Sequence, residues 1–318
     1  MPTFSRASTK LALLVVVLAV PACGRAPSGD GQPEIRQSPA PAGVVILGSV
    51  SLDPGREYEV FRPFADYLAA HLGEVGIGTG KVVVTDSLSR MVEALRRGTV
   101  DIYIDSPFPV AFVCERGEAR PILRRWKRGS ETYHSVVFAR SDSGIESADD
   151  LRGHVIAFGE PFSTTGFLLP KATLVSSGLK LVNYADSAAA IPSDQVGYVF
   201  SNDAENTLFW VLKNKVSAGA VNADYFAALA GSRMDELRII LSTEETPRNV
   251  VCVRSDLDPE VVRKVEEVLL AMNDEQLGQK VLRDFEQTTK FDRFPTGAAH
   301  DLARVHQLLA YIEEDVGQ

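Results

Sequence analysis

From Val44 onward, short apolar runs alternate with stretches whose apolar residues recur every third or fourth position, and nothing else in the chain constrains its fold as tightly. Val44-Val45-Ile46-Leu47-Gly48 is an apolar run closed by glycine, the pattern of a strand buried on both faces. Phe61, Phe64, Ala65, Leu68 and Leu72 then lie on one helical stripe, which Gly73 stops. Residues 81–84 give a second strand, Met91, Val92 and Leu95 a helix ending at Gly98, and residues 100–104 a third strand. Ser106-Pro107 opens another helix, with serine in the capping position and proline in the first turn. Strands alternating with helices predict a doubly wound α/β sheet, and 318 residues suffice for two such units.

An internal echo fixes how two units could be joined. Val136-Val137-Phe138-Ala139-Arg140-Ser141-Asp142 and Val250-Val251-Cys252-Val253-Arg254-Ser255-Asp256 agree at five of seven positions. Between them lies a self-contained β/α stretch: strands at 154–158, 196–200 and 218–221, a helix from Ser163 and a helix at 206–213. The two matching strands are expected to serve as a double crossover, where a hinge belongs, between lobe 1 (44–137 and 251–318) and lobe 2 (138–250). Asp258-Pro259 then caps a helix, and residues 300–312 form a last amphipathic one; both are expected on lobe 1.

The N-terminus addresses location. Arg6 and Lys10 precede a run at 11–22, too short to span a membrane, followed by Cys23. A charged segment, an apolar core and small residues before a cysteine predict a secretory signal over 1–22, with a bacterial lipobox in which Cys23 is lipidated. Residues 23–43, with Pro27, Pro33, Pro39 and Pro41 among small polar residues, form a flexible tether. The chain is therefore expected in the periplasm or at the cell surface, lipid-anchored to a bacterial membrane. A formal charge of −9 argues against a nucleic-acid partner. The remaining cysteines, Cys114 and Cys252, are expected to be small buried hydrophobes.

Chemistry concentrates where strands end. In Ala157-Phe158-Gly159-Glu160-Pro161-Phe162-Ser163-Thr164-Thr165-Gly166, a strand stops, glycine and proline turn the chain, and three consecutive hydroxyls stand at a helix start. First-turn amides lack internal partners and carry partial positive charge, so they receive anions; Ser163, Thr164 and Thr165 add neutral donors. One hydroxyl would suffice for capping. Pro170 is out of place inside such a helix. Two similar junctions, at Asp105-Ser106-Pro107 and at Ser201-Asn202-Asp203, follow strands as well, and ligands of open α/β sheets bind beyond the carboxyl ends of strands. Tyr133 leads into the first crossover. No G-x-S-x-G, H-E-x-x-H or Walker A motif is present, the five histidines are scattered, and no catalytic residue, metal or cofactor is expected.

In this order the pieces resemble the phosphate/phosphite/phosphonate-type substrate-binding proteins of ABC importers. The likeness covers roughly residues 44–295. It runs through Val100-Asp101-Ile102 with Asp105-Ser106-Pro107, through Tyr133-His134-Ser135-Val136-Val137, through residues 150–158, through Pro161 to Pro170, and through Lys215-Val216-Ser217-Ala218-Gly219-Ala220-Val221. The resemblance implies a type II periplasmic-binding fold of two α/β lobes that close on a ligand. It also implies that Ser163, Thr164 and Thr165 hold an oxyanion, with Tyr133 and Ser106 contributing from lobe 1 and the hinge. Ser201 stands at the third junction, Asn202 replaces the family's usual histidine there, and Asp224 sits near an acid that aminophosphonate binders use. Ser217 replaces a usual aspartate, and Pro247-Arg248-Asn249 lacks an acid that some members carry, so phosphate, phosphite or another small oxyanion is favoured over an amine-bearing ligand. Arg248 can assist the anion or remain on the surface. The implied partner is an ABC permease. The alternative is an oxyanion sensor of the same fold, for arsenite or phosphate, signalling to a membrane histidine kinase, in which Cys114 could be a ligand thiolate. An enzyme on this scaffold is a third reading that lacks a catalytic constellation.

Cys23→Ser is expected to abolish lipidation, leaving the protein soluble or uncleaved on fractionation. Unchanged membrane association, with no acyl label on wild type, would refute the lipobox.

Overall fold

The computed structural model describes residues 43–184 and 190–312, so the signal segment, Cys23 and the tether up to residue 42 lie outside the described residues. The chain begins with β1 (Gly43–Val50), α1 (Pro54–Ala70), β2 (Ile77–Thr85), α2 (Leu88–Arg96), β3 (Ile102–Asp105), α3 (Pro107–Gly117) and β4 (Ala119–Lys127). It passes through a two-residue strand, β5 (Thr132–Tyr133), into β6 (Ser135–Arg140) and β7 (Val155–Phe158). A π-turn (Thr164–Leu168), α4 (Leu169–Ser176), β8 (Lys180–Asn183), β9 (Gln195–Phe200), α5 (Ala204–Leu212), β10 (Ala218–Asn222), α6 (Ala223–Ala230) and β11 (Leu237–Ser242) follow. The return runs through β12 (Thr246–Pro247), β13 (Asn249–Arg254), α7 (Pro259–Ala271), α8 (Gln276–Asp284), β14 (Thr288–Asp292), α9 (Ala298–Asp301) and α10 (Ala303–Leu309).

Side-chain caps start α1, α2, α5, α6 and α7. Asp53 accepts from the Arg56 amide at 3.2 Å, with Pro54 in the first turn of α1; Asp203 accepts from Asn206 at 2.6 Å and Asp258 from Glu260 at 2.8 Å. Phe61, Phe64, Ala65 and Leu68 bury one face of α1, and Phe64 stacks on Phe285 at 4.4 Å between ring centroids. The single helix expected over 300–312 is instead two short ones broken at Leu302.

Two six-stranded sheets result, in the orders β14-β4-β13-β3-β1-β2 and β11-β6-β10-β7-β9-β8. Within each, the strands of the β/α repeats are parallel. Edge strand β14 runs against them in the first sheet, and each sheet has one antiparallel strand inserted in its interior: β13 between β3 and β4, and β6 between β10 and β11. These are the two matching segments of the sequence. They are not the crossings. The crossings lie just before them, where β5 and β12 pair antiparallel, Thr246 opposite Tyr133 and Pro247 opposite Thr132. Parallel strands of such sheets end toward the cleft, so a strand entering from the cleft side must run the opposite way. The likeness reaches their far ends too, where Arg140 clips Asp142 and Arg254 clips Asp256, each at 2.5 Å.

The out-of-place Pro170 is explained by the turn before it. Proline lacks the amide that would reach back to Gly166 in an α-helix or to Thr165 in a π-turn. The Gly159 amide donates to the Gly166 carbonyl at 2.9 Å, and the Ser135 hydroxyl donates to the Thr165 carbonyl at 2.9 Å. Pro170 itself falls in the first turn of α4, which therefore begins at Leu169 rather than Ser163. Gly166 is needed here, because a Cβ would come within 2.8 Å of the Ser163 hydroxyl.

Ser135 is fully buried, so Ser135→Ala leaves the Thr165 carbonyl without a partner. A loss of about 1–3 kcal/mol is expected in urea unfolding; a change under about 0.5 kcal/mol would show that the turn does not depend on this bond.

Candidate functional site

The carboxyl ends of β3, β7 and β10, together with the two crossings, converge on a cavity of about 560 Å³. Ser106, Tyr133, Ser163, Thr164 and Thr165 all line it. A second cavity of about 500 Å³ adjoins it through Glu160, Ser163, Thr165, Asn222 and Tyr225, and Asn202 lines only that one. Ser201 lines neither. It is buried, with its hydroxyl donating to the Phe158 carbonyl at 2.8 Å and meeting the Thr207 hydroxyl at 2.5 Å, so its role is internal to the fold. Asp224 also lines neither cavity; its exposed carboxylate accepts from Arg248 Nη1 at 3.2 Å.

A relay of hydroxyls joins the two sheets across the cleft. Tyr103 Oη donates to Asp105 Oδ2 at 2.6 Å, the Ser106 hydroxyl to Asp105 Oδ1 at 3.1 Å, and the Thr164 hydroxyl to Ser106 Oγ at 3.0 Å. Thr164 Oγ1 in turn accepts from the Phe108 amide at 3.3 Å. Ser106 thus makes no side-chain cap on α3; the cap comes from Thr164, on the other sheet. Burial raises the Asp105 carboxyl above its usual range, against the pull of the Tyr103 and Ser106 bonds.

The relay commits the protons of Ser106 and Thr164, so the donors that face the cavity are others. Ser163 Oγ accepts from the Gly166 amide at 3.0 Å, which leaves its proton to give, and Thr165 lines both cavities. Tyr133 Oη and Arg248 Nε are buried and make no hydrogen bond of sound geometry among the described residues. Burial drives the Tyr133 phenol far up; the nearby Thr164 and Ser106 hydroxyls draw it down less. Arg248 is 3% exposed, not a surface arginine, and its guanidinium lies 5.3 Å from the Tyr133 ring centroid. Unpaired buried donors are costly unless a ligand accepts from them.

The opposite wall is ionic, which sequence reasoning missed. Arg125 stacks on Phe285 at 3.9 Å and donates to Thr288, to the Phe285 carbonyl and to Glu286, the last at 2.9 Å. Lys127 meets the other Glu286 oxygen at 2.9 Å. Burial alone would raise the Glu286 carboxyl, but the two cations outweigh it and hold it at about 2. Burial also raises Glu57, which accepts from the Ser49 hydroxyl. Arg125 and Lys127 alternate in β4, so a period of two would have placed them on one face; nothing in the sequence points to Glu286 as their partner. Nor is the cleft short of acids, as Ser217 and Pro247-Arg248-Asn249 lead one to expect. Ser217 meets His154 at 3.1 Å and lines none of the cavities described here, whereas Glu57, Asp105, Glu160 and Glu286 line the first cavity. Cys114 lines neither cavity; it neighbours Cys252, whose thiol burial pushes well up, and both are free.

Residues 50–296 match the family model described as ABC transporter, phosphonate, periplasmic substrate-binding protein. The chain belongs to this family. XAC2383 from Xanthomonas citri, solved with chloride, is 29% identical with a TM-score of 0.78, the match covering 86% of this chain and 98% of that one; the same protein with ATP gives 28% and 0.77. The phosphate-import protein PhnD of Mycolicibacterium smegmatis is 24% identical over 188 residues, 55% of this chain and 56% of the relative. The tetrathionate sensor histidine kinase TtrS of Salmonella typhimurium is 28% identical over 169 residues, 50% of this chain and 28% of the kinase. The chain thus spans about half the mycobacterial relative and less of the kinase. Its two sheets and paired crossings are the type II periplasmic-binding-protein fold. No helix among the described residues is long and apolar enough to cross a membrane.

Glu286 has a folded-state pKa below its ordinary 4.5, so its pairing contributes stability above about pH 4.5 and is lost as pH falls toward 2. Glu286→Gln is expected to melt lower than wild type at pH 7, with the difference shrinking below pH 4. A constant difference from pH 7 to pH 3 in thermal unfolding would contradict this pairing.

Proposed function

We propose that this chain is an extracytoplasmic solute-binding lipoprotein that captures a small phosphorus oxyanion (phosphate, phosphite or a phosphonate) between its two lobes and hands it to an ABC permease. The observation that carries this reading is the convergence of Tyr133 Oη and Arg248 Nε, both buried and unbonded, with the Ser163 and Thr165 hydroxyls on one cavity. A tetrahedral oxyanion accepts several hydrogen bonds at once; the Gly166, Phe167 and Leu168 amides are taken up by Ser163, and those of Thr164 and Thr165 stand at the start of the turn as further donors. The relative solved with ATP also supports a ligand that presents phosphoryl oxygens.

The division of labour supports binding by closure. Tyr133 stands on a crossing, Arg248 directly follows the other, and the hydroxyls come from the second lobe. An anion that touches all of them favours the closed arrangement by its differential contacts, and the equilibrium shifts by that amount. Asp224 keeps Arg248 aimed inward, a positioning role rather than a ligand contact. The lipid on Cys23 would hold the protein near its permease.

A sensor role is the second reading, supported by the likeness to the histidine kinase over half of this chain. It would use the same anion site. A thiolate site at Cys114 finds no support, since that residue lines neither cavity.

Hydrogen bonds to a charged group are each worth about 1.5–3 kcal/mol, so Tyr133→Phe should weaken the best of phosphate, phosphite and methylphosphonate about ten- to hundred-fold in isothermal titration. Arg248→Met should cost at least as much. Wild-type affinity in both variants, with folding intact by circular dichroism, would overturn the site.

A further inference from the structure

The segment that supplies the anion donors also walls a third cavity, of about 240 Å³. Its lining is mostly apolar: Leu52 and Leu88 from the first lobe, and Phe162, Phe167, Tyr198 and Phe200 from the second. Phe167 and Phe200 meet edge to face at 4.8 Å, and Tyr198 lies 5.8 Å from Phe200, so the floor is a preformed aromatic cluster. Three polar residues, Asp86, Ser87 and Asn183, also line it; Asp86 and Ser87 are engaged with Arg90, Asp86 at 2.7 Å to the guanidinium and Ser87 as acceptor from the amide, and Asn183 has a partner too.

Two residues join this chamber to the anion site, because Leu52 and Phe162 line both. Phe162 immediately precedes Ser163, and Phe167 lies within the turn that begins with Thr164, so one short segment offers both hydroxyls and rings. Leu52 is 63% exposed at the mouth, between β1 and α1, an apolar side chain left in water unless something covers it.

We infer that the chamber is a subsite for an apolar substituent: the ligand is an organic phosphonate or phosphate ester with a short alkyl or aryl arm. The arm would lie between Leu52 and the Phe162, Phe167 and Phe200 rings while the oxyanion sits on the donors described above. A dry cavity of about 150 Å³ accepts benzene, so this one admits a single ring or a short chain. The inference rests on the oxyanion reading of the donor cluster and deepens it. The rival occupant is no ligand at all, with Leu52 closing directly onto Phe162 as an apolar latch.

Titration with inorganic phosphate and with methyl-, ethyl-, butyl- and phenylphosphonate separates these. The inference expects affinity to rise about four-fold for each added methylene, and phenylphosphonate to bind well above methylphosphonate. Leu52→Ser, at an exposed position and so without a folding cost, should lower the butyl-to-methyl affinity ratio several-fold. Flat or falling affinity along the series, with methylphosphonate still bound, overturns the arm subsite and supports the latch while sparing the oxyanion reading. An undiminished ratio in Leu52→Ser overturns the location. Binding of neither phosphate nor any phosphonate overturns the oxyanion reading, and this inference with it.

Discussion

Pro170 lacks an amide proton, and much of the cleft follows from how the chain compensates. Without that donor the turn after Ser163 opens to a π-turn, and its carbonyls take protons from Gly159 and Ser135 instead. Ser135 opens β6, the strand that enters the second sheet straight from a crossing, so the turn is anchored to the crossing itself. The same widening carries Thr164 across to cap α3 on the other sheet, while Thr165 and Ser163 face the cavity. A regular helix from Ser163 would have placed these groups differently and required a residue other than proline.

Electrostatics divides the cleft into two kinds of surface. On the first-lobe wall Arg125 and Lys127 share Glu286, so these cations are already engaged and poorly available to a ligand. On the side of the hydroxyl relay the groups are mostly neutral donors, and Arg248 is the cation among them whose Nε has no partner. In the proposed site an anion would be held mainly by neutral dipoles, and the three hydrogen bonds that the Asp105 carboxyl accepts spread its charge without removing it. Such a site discriminates by geometry more than by charge.

The alternation of runs and stripes made the α/β architecture legible, because strand and helix periods differ and burial enforces both. The hydroxyl triplet was legible for a similar local reason. What could not be read was pairing at a distance. The sequence marks Thr164 as a donor to a ligand, whereas its proton goes to Ser106, fifty-eight positions away. Arg248 looks like a surface residue until the crossing buries it beside Tyr133. The short strands β5 and β12 carry no periodic signal at two residues each, and β14 escaped because Thr-Thr-Lys-Phe-Asp alternates weakly. The matched segments were assigned to the crossings because likeness shows equivalence but not location.

The two crossings run side by side and are hydrogen-bonded to each other over Thr132–Tyr133 and Thr246–Pro247. Paired in this way they act as a leaf spring rather than as two independent strings. A narrow ribbon bends across its flat face but resists sliding along its length and splaying in its plane. Any movement of one sheet against the other is thus channelled toward a single bending axis, and Tyr133, built into the ribbon, would ride on that axis with little change in position. Its phenol would be a fixed point against which the rest of the cleft swings.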